Sequence, residues 1–187
     1  MTQTHLKKIT QLFFFALTAM VFAGCASFQD GSSTKKSGYY LNDGPVDDVT
    51  EAKVDEIPLV VPKREKLSKG AKKQYLVFGK TYSPMQDLIP YSEIGTASWY
   101  GKRYQGSKTS IGETYDVMKF TAAHPTLPLP CYVKVTNLEN GRTLIVRVND
   151  RGPFLGGKII DLSYAAAIKL GFSQAGSARV QLDLIIL

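Results

Sequence analysis

A chain of 187 residues with 44% hydrophobic content is long enough for one core with appendages and too short for two large domains. Its formal charge of +7 is spread without any run of five or six like charges, which excludes a nucleic-acid tail and suits anionic glycan or an anionic membrane surface. No grouping of Cys, His and acidic residues has zinc-like spacing and no glycine loop is built to cradle phosphate, so neither metal nor cofactor is expected.

The first 24 residues read as a secretion signal. Lys7 and Lys8 form a basic start and Leu12 to Ala23 an apolar stretch. That stretch is short of the ~20 residues a bilayer-spanning helix needs. Without the two lysines the remaining chain carries +5. From Ala26 to about Lys73 the sequence is polar, with Gly31-Ser32-Ser33 and Pro45, Pro58 and Pro62 and no sustained apolar period. This composition predicts a disordered linker. A flexible coil of about 48 residues has an r.m.s. span of roughly 35–40 Å, enough to hold a domain away from a surface. Simple tolerance of insertions explains its length equally well.

From Gln74 the composition changes, and residues 74–90 form a lead-in containing the short strand Tyr75–Phe78. Gly95 to Gly101 is a second apolar and aromatic segment, followed by a polar loop from Lys102 to Gly112 that ends at Glu113. Tyr115 to Ala123 returns to apolar character. His124 precedes Pro125 and so closes it in an extended or turning conformation. Cys131 leads into the alternation of Tyr132 to Val135 as a small buried hydrophobe. A Cys131–His124 nucleophile pair would lack a third, orienting group.

Cys131 to Asn149 is the clearest hairpin, with Val133 and Val135 facing Leu144, Val146 and Val148 across an Asn140-Gly141 turn. Its second strand runs into RVNDRGPFLGGKIID, Arg147 to Asp161. There Pro153 fixes φ and a carboxylate, Asp150, stands beside a guanidinium, Arg151, where a strand leaves its sheet. A plain Asx turn with a solvated arginine is the alternative. Ile159-Ile160 starts another strand, Ser163 caps a helix over Tyr164–Leu170 that stops at Gly171, and Ala178 to Leu187 alternates as a closing strand. Many short strands, few helical residues and glycine-rich turns define a mainly β fold, a small barrel over residues 91–187.

Six blocks carry a resemblance. GTASWYG (Gly95–Gly101), Gly112-Glu113, TAAHPTLP (Thr121–Pro128), VKVTNLENGR (Val133–Arg142), VRVNDRGPF (Val146–Phe154) and IIDLSYAAAIKLG (Ile159–Gly171) resemble, in order and spacing, the rare lipoprotein A family. The resemblance covers about Gln74 to Leu187. It implies a six-stranded double-psi β-barrel with one or two short helices, acting as an endolytic peptidoglycan lytic transglycosylase. Phe22-Ala23-Gly24-Cys25 resembles a lipobox, which implies lipidation of Cys25. Ala26 in place of an aspartate resembles the outer-membrane pattern, so the expectation is a lipid-anchored protein of the bacterial envelope facing the periplasm. Two features depart from the family: the chain stops after the barrel's closing strand, where members often add a domain that binds peptide-free glycan, and Leu129-Pro130-Cys131 replaces a Phe-Gly-Thr.

The family's catalytic pair maps onto Glu113 and Asp150. The expectation gives Glu113 the proton transfer, through burial that raises its pKa, and Asp150 the stabilisation of positive charge, or the reverse. Asp161 is read as a helix cap or a partner of Arg151, and alternatively as substrate-binding. His124 would bond a carboxylate or a sugar, or be a satisfied core histidine. Arg151, Tyr100 and Tyr104 are candidate glycan contacts, whereas Trp99 is read as core. The expected partner is peptidoglycan glycan, with no nucleic acid. An expansin-like, non-catalytic wall-binding module is the competing function.

Overall fold

The computed structural model describes residues 43–187, which belong to one compact unit. The expected signal peptide, Cys25 and the first part of the expected linker lie outside the described residues. Six strands close into a barrel, and they follow the sequence pattern closely. They are β3 (Ser92–Tyr100), β4 (Thr121–Ala123), β5 (Cys131–Asn137), β6 (Thr143–Asp150), β7 (Ile160–Ser163) and β8 (Ser177–Ile185), ordered β3-β7-β4-β6-β5-β8. Strands β5 and β6 pair as the predicted hairpin, Cys131 opposite Val148 through Thr136 opposite Thr143, with Gly141 at φ 73° in the turn. Two parallel pairings, β3 with β7 and β4 with β6, interrupt the antiparallel ladder. Val133, Val135, Val146, Val148, Leu162 and Val180 have no exposed surface and fill the barrel. Cys131 is buried with them as a free thiol, its pKa pushed up to about 12 by that burial.

The helix α2 (Tyr164–Lys169) starts where expected, the Ser163 hydroxyl accepting from Ala166 N at 3.3 Å. Its Ala165, Ala166 and Ala167 are fully buried, so the helix lies close against the barrel. Asn137 and Asn140 each donate to the Leu170 carbonyl at 3.0 Å, which binds the helix end to the hairpin turn. Preceding the barrel, β1 (Tyr75–Val77) and β2 (Lys80–Tyr82) form a separate hairpin whose Tyr75 and Tyr82 rings stack at 5.2 Å. The expected segment Tyr115 to Ala123 yields a strand only from Thr121; Tyr115, Val117 and Phe120 reach the core from an irregular loop.

The disordered-linker expectation fails for residues 43–73, which form a strap packed on the barrel. Asp43 accepts from Gly101 N at 2.9 Å and Arg103 N at 3.2 Å, and the Gly44 carbonyl accepts from Lys102 N at 3.1 Å. A short helix, α1 (Glu51–Asp55), capped by Thr50, sinks Val54 completely into the core. Val46, Val49, Ile57 and Val60 pack beside it. These apolar residues have no period because each meets a different part of the barrel; composition therefore reads as linker what tertiary contact orders.

Candidate active site

Strand β6 organises the site. On one side of it Arg147 and Asn149 project towards Glu113. Arg147 Nη1 donates to Glu113 Oε2 at 2.6 Å and Nη2 to Oε1 at 2.9 Å, while Asn149 Nδ2 reaches Oε2 at 2.8 Å. The same guanidinium donates to both oxygens of Glu65 at 2.8 Å, and the Tyr132 hydroxyl also bonds Glu65. One cation is thus gripped between two carboxylates, each in fork-to-fork geometry. The strap forms one wall of the groove around them, of about 900 Å³, lined there by Lys53, Ile57, Lys63 and Glu65.

This geometry bears on which of the two expected roles Glu113 can take. The Arg147 hydrogen bonds, outweighing desolvation, hold its carboxyl below the usual carboxylate range, with Asn149 adding to the effect. Glu65 is held lower still, at about 2, for the same principal reason. Glu113 is therefore an anion at neutral pH, poorly suited to donate a proton.

Asp150 looks into a different hollow. Opposite Ala122 and Ala123 of β4, strand β6 places Val148 and then Asp150, leaving Asn149 as the extra residue of a bulge. Such a bulge re-aims the side chains on either side of it. Asp150 Oδ1 accepts from Ser110 N at 2.8 Å and Arg151 N at 2.7 Å, yet burial outweighs these bonds and raises its pKa. The loop Thr109–Glu113 joins the two carboxylates: Ser110 holds Asp150, and Thr109 holds the Glu113 backbone through Thr109 N to Glu113 O at 2.8 Å. Both thus stand at one end of β6 with opposite electrostatic bias.

The hollow around Asp150, about 70 Å³, gathers most of the other predicted residues: Tyr100, Tyr104, Arg151 and Asp161 line it, together with Ala123 and Phe154. Asp161 is buried, accepts from the Ser98 hydroxyl, and is raised to about 6 by desolvation, against the lowering effects of Ser98 and Lys158. It neither caps α2, a role taken by Ser163, nor needs Arg151. The Arg151 guanidinium is committed to carbonyls, Nη1 to Leu127 at 2.6 Å and His124 at 3.1 Å, Nη2 to Ala71 at 2.7 Å. The Tyr100 hydroxyl, beside that of Thr121, makes no hydrogen bond of ordinary geometry.

His124 belongs to the core and not to a sugar site. It is 2% exposed, and its Nδ1 accepts from Thr126 N at 3.1 Å and Leu127 N at 3.0 Å, leaving Nε2 to face the Tyr91 hydroxyl at 3.2 Å. Burial, assisted by Arg151, lowers its pKa to about 3, so it is neutral. Trp99 packs on Tyr164, centroids 4.8 Å apart, as the core reading expects. Sequence reasoning missed Arg147 and Asn149, which looked like the polar half of a strand alternation, and Glu65, which carried no local signal. Among the described residues, no group of three or more His, Cys, Asp or Glu is placed to hold a metal ion.

A closed barrel with two parallel crossovers and carboxylates at the end of β6 defines a double-psi β-barrel protein, and residues 92–182 match the family described as lytic transglycolase. The chain is 44% identical over 177 residues to the endolytic peptidoglycan transglycosylase RlpA of Vibrio cholerae, spanning 95% of this chain and 64% of the relative. It is 55% identical to the proteins of that name from Pseudomonas aeruginosa, over 70% of this chain and 38% of theirs, and Neisseria meningitidis, over 67% and 53%. By these matches the chain resembles the rare lipoprotein A family. It spans between about a third and two thirds of the length of these curated relatives.

Proposed function

We propose that this protein is a peptidoglycan lytic transglycosylase, cleaving the β-1,4 bond between N-acetylmuramic acid and N-acetylglucosamine. The observation that carries the reading is the pair of carboxylates at the end of β6 whose surroundings drive their protonation apart: Glu113 anionic beside Arg147, Asp150 raised by burial. Such a split is how one site holds a proton donor and a charge stabiliser together. Asp150 gives its proton to the departing O4 as the C1–O4 bond breaks. The glutamate and its polar surroundings stabilise the oxocarbenium-like charge at C1. The C6 hydroxyl of the same muramyl residue then attacks C1, forming the O6–C1 bond of a 1,6-anhydro end, and its proton passes to a carboxylate. One proton is delivered and one recovered, so no water is consumed.

Peptidoglycan strands are the proposed substrate. A lipid anchor at Cys25 facing the periplasm from the outer membrane completes the reading; its support is the lipobox-like sequence, and palmitate labelling lost in Cys25→Ser tests it. The activity is tested by incubating the purified protein with glycan strands and analysing products by mass spectrometry. The expected products carry 1,6-anhydromuramyl ends, and Asp150→Asn lowers their release at least ~100-fold. Reducing ends instead would mean hydrolysis, and retained wall binding without products would mean an expansin-like module.

A further inference from the structure

Asp150 has a second acidic neighbour besides Glu113. In the barrel, Ala123 of β4 pairs on one side with Asp150 of β6 and on the other with Asp161 of β7. Three positions in register across three strands share a face, and two strand spacings put the outer Cα atoms roughly 10 Å apart. The residue between them is an alanine, so the space above it is open, and both acids line the same hollow. Tyr100, only 8% exposed, lines it too, and its buried hydroxyl makes no hydrogen bond of ordinary geometry. A hollow of about 70 Å³ is too small for a sugar ring. It has room for a few waters, each needing about 10–15 Å³ of such space, and hence for a hydroxymethyl arm.

We propose that Asp161 is the general base of the reaction, taking the proton of the muramyl C6 hydroxyl held between it and Asp150. The inference rests on the transglycosylase reading above. The O6–H bond breaks towards the Asp161 carboxylate while O6 bonds to C1, and Asp150 has already given its proton to O4. A water in the vacated hollow then carries the proton from Asp161 back to Asp150, closing the cycle. Depth assigns the roles: the nearly buried acid meets the group that reaches deepest, and the more exposed Asp150 meets the glycosidic oxygen. The charged and titratable groups around Asp161 are Lys158, Asp43, Asp150, Arg151, Tyr100 and Tyr104. Of these Lys158 favours its ionised form and Asp43 opposes it, and the Ser98 hydroxyl also favours ionisation. A base so placed, with a pKa of about 6, abstracts protons more readily than an ordinary aspartate while remaining ionised at neutral pH.

The test uses the full chain, glycan strands and quantified anhydro ends across pH 4 to 8. Wild type is expected to lose activity as pH falls through about 6, the pKa of Asp161. Asp161→Asn is expected to lower kcat by at least ~100-fold with little change in KM. Ser98→Ala removes a bond that favours the ionised acid, so its acid limb should move to higher pH. That variant keeps the proposal testable if Asp161→Asn does not fold. Near wild-type turnover in folded Asp161→Asn, or an acid limb unmoved in Ser98→Ala, overturns the proposal while leaving the transglycosylase reading intact. Wild type that makes no anhydro ends overturns both.

Discussion

Arg147 holds two carboxylates from parts of the chain that composition assigns to different fates, one to a barrel loop and one to a linker. Its pairing with Glu65 is mostly shielded, with 19% and 21% of the two side chains exposed. Glu65→Gln is therefore expected to cost about 1–2 kcal/mol at pH 7, the range for charge-assisted hydrogen bonds in partly buried surroundings. Glu65 titrates at about 2 in the folded protein against an ordinary 4.5. Its contribution is fully present above pH 4.5 and is lost as pH falls towards 2, so urea titrations of the two proteins should converge there. His124 behaves oppositely to a histidine that gains an acidic partner. Its folded value of about 3 lies below the ordinary 6.5, so the unfolded chain binds a proton that the folded chain refuses. Stability from this residue drops as pH falls from 6.5 towards 3, by up to ~1.4 kcal/mol per unit. Asp161, raised from 3.8 to about 6, acts with the opposite sign across that interval. His124→Gln should thus flatten the difference between denaturation midpoints at pH 5 and 7 relative to wild type.

At the level of elements, what the sequence shows and what it hides divide by range. The β5–β6 hairpin is legible because alternation and an Asn-Gly turn are local. The chemistry-bearing residues Tyr100, Asp150 and Asp161 are legible as residue types beside glycines and strand ends. Their convergence is not, because it passes through β4, three residues long and too short to show a period. The opposite aims of Glu113 and Asp150 depend on the Asn149 bulge, which register alone reveals. The Glu65–Arg147 pair spans 82 positions, and no composition rule anticipates it. The strap's hold on β3 can be released at one place. A Cβ on Gly101 would lie 2.0 Å from the Gly44 carbonyl oxygen, a backbone atom, while the Gly101 φ of −120° suits any residue. Gly101→Ala is expected to dislodge residues 43–44 and leave the barrel closed. The measurement is limited trypsin digestion: cleavage at Lys53, Lys63 and Arg64 should accelerate severalfold while the barrel fragment stays resistant.

Across the whole molecule, the strap, the barrel and α2 share one hydrophobic core, since Val54 of the strap and the alanines of α2 belong to the same buried cluster as the valines of the strands. Stability of the domain and shape of the large groove are therefore coupled through residues that lie before the barrel begins. β8 pairs with β3 along Ser92–Ser98 and with β5 along Tyr132–Asn137, so a single strand closes both remaining seams. Synthesis releases that strand last of the six. Until it emerges, β3 and β5 each present a bare edge and no ring of hydrogen bonds exists. Assembly of this domain must wait for its last residues, with milliseconds to seconds as the expected time for joining segments so far apart, and a nascent chain interrupted before position 177 is an open sheet that invites pairing with its neighbours.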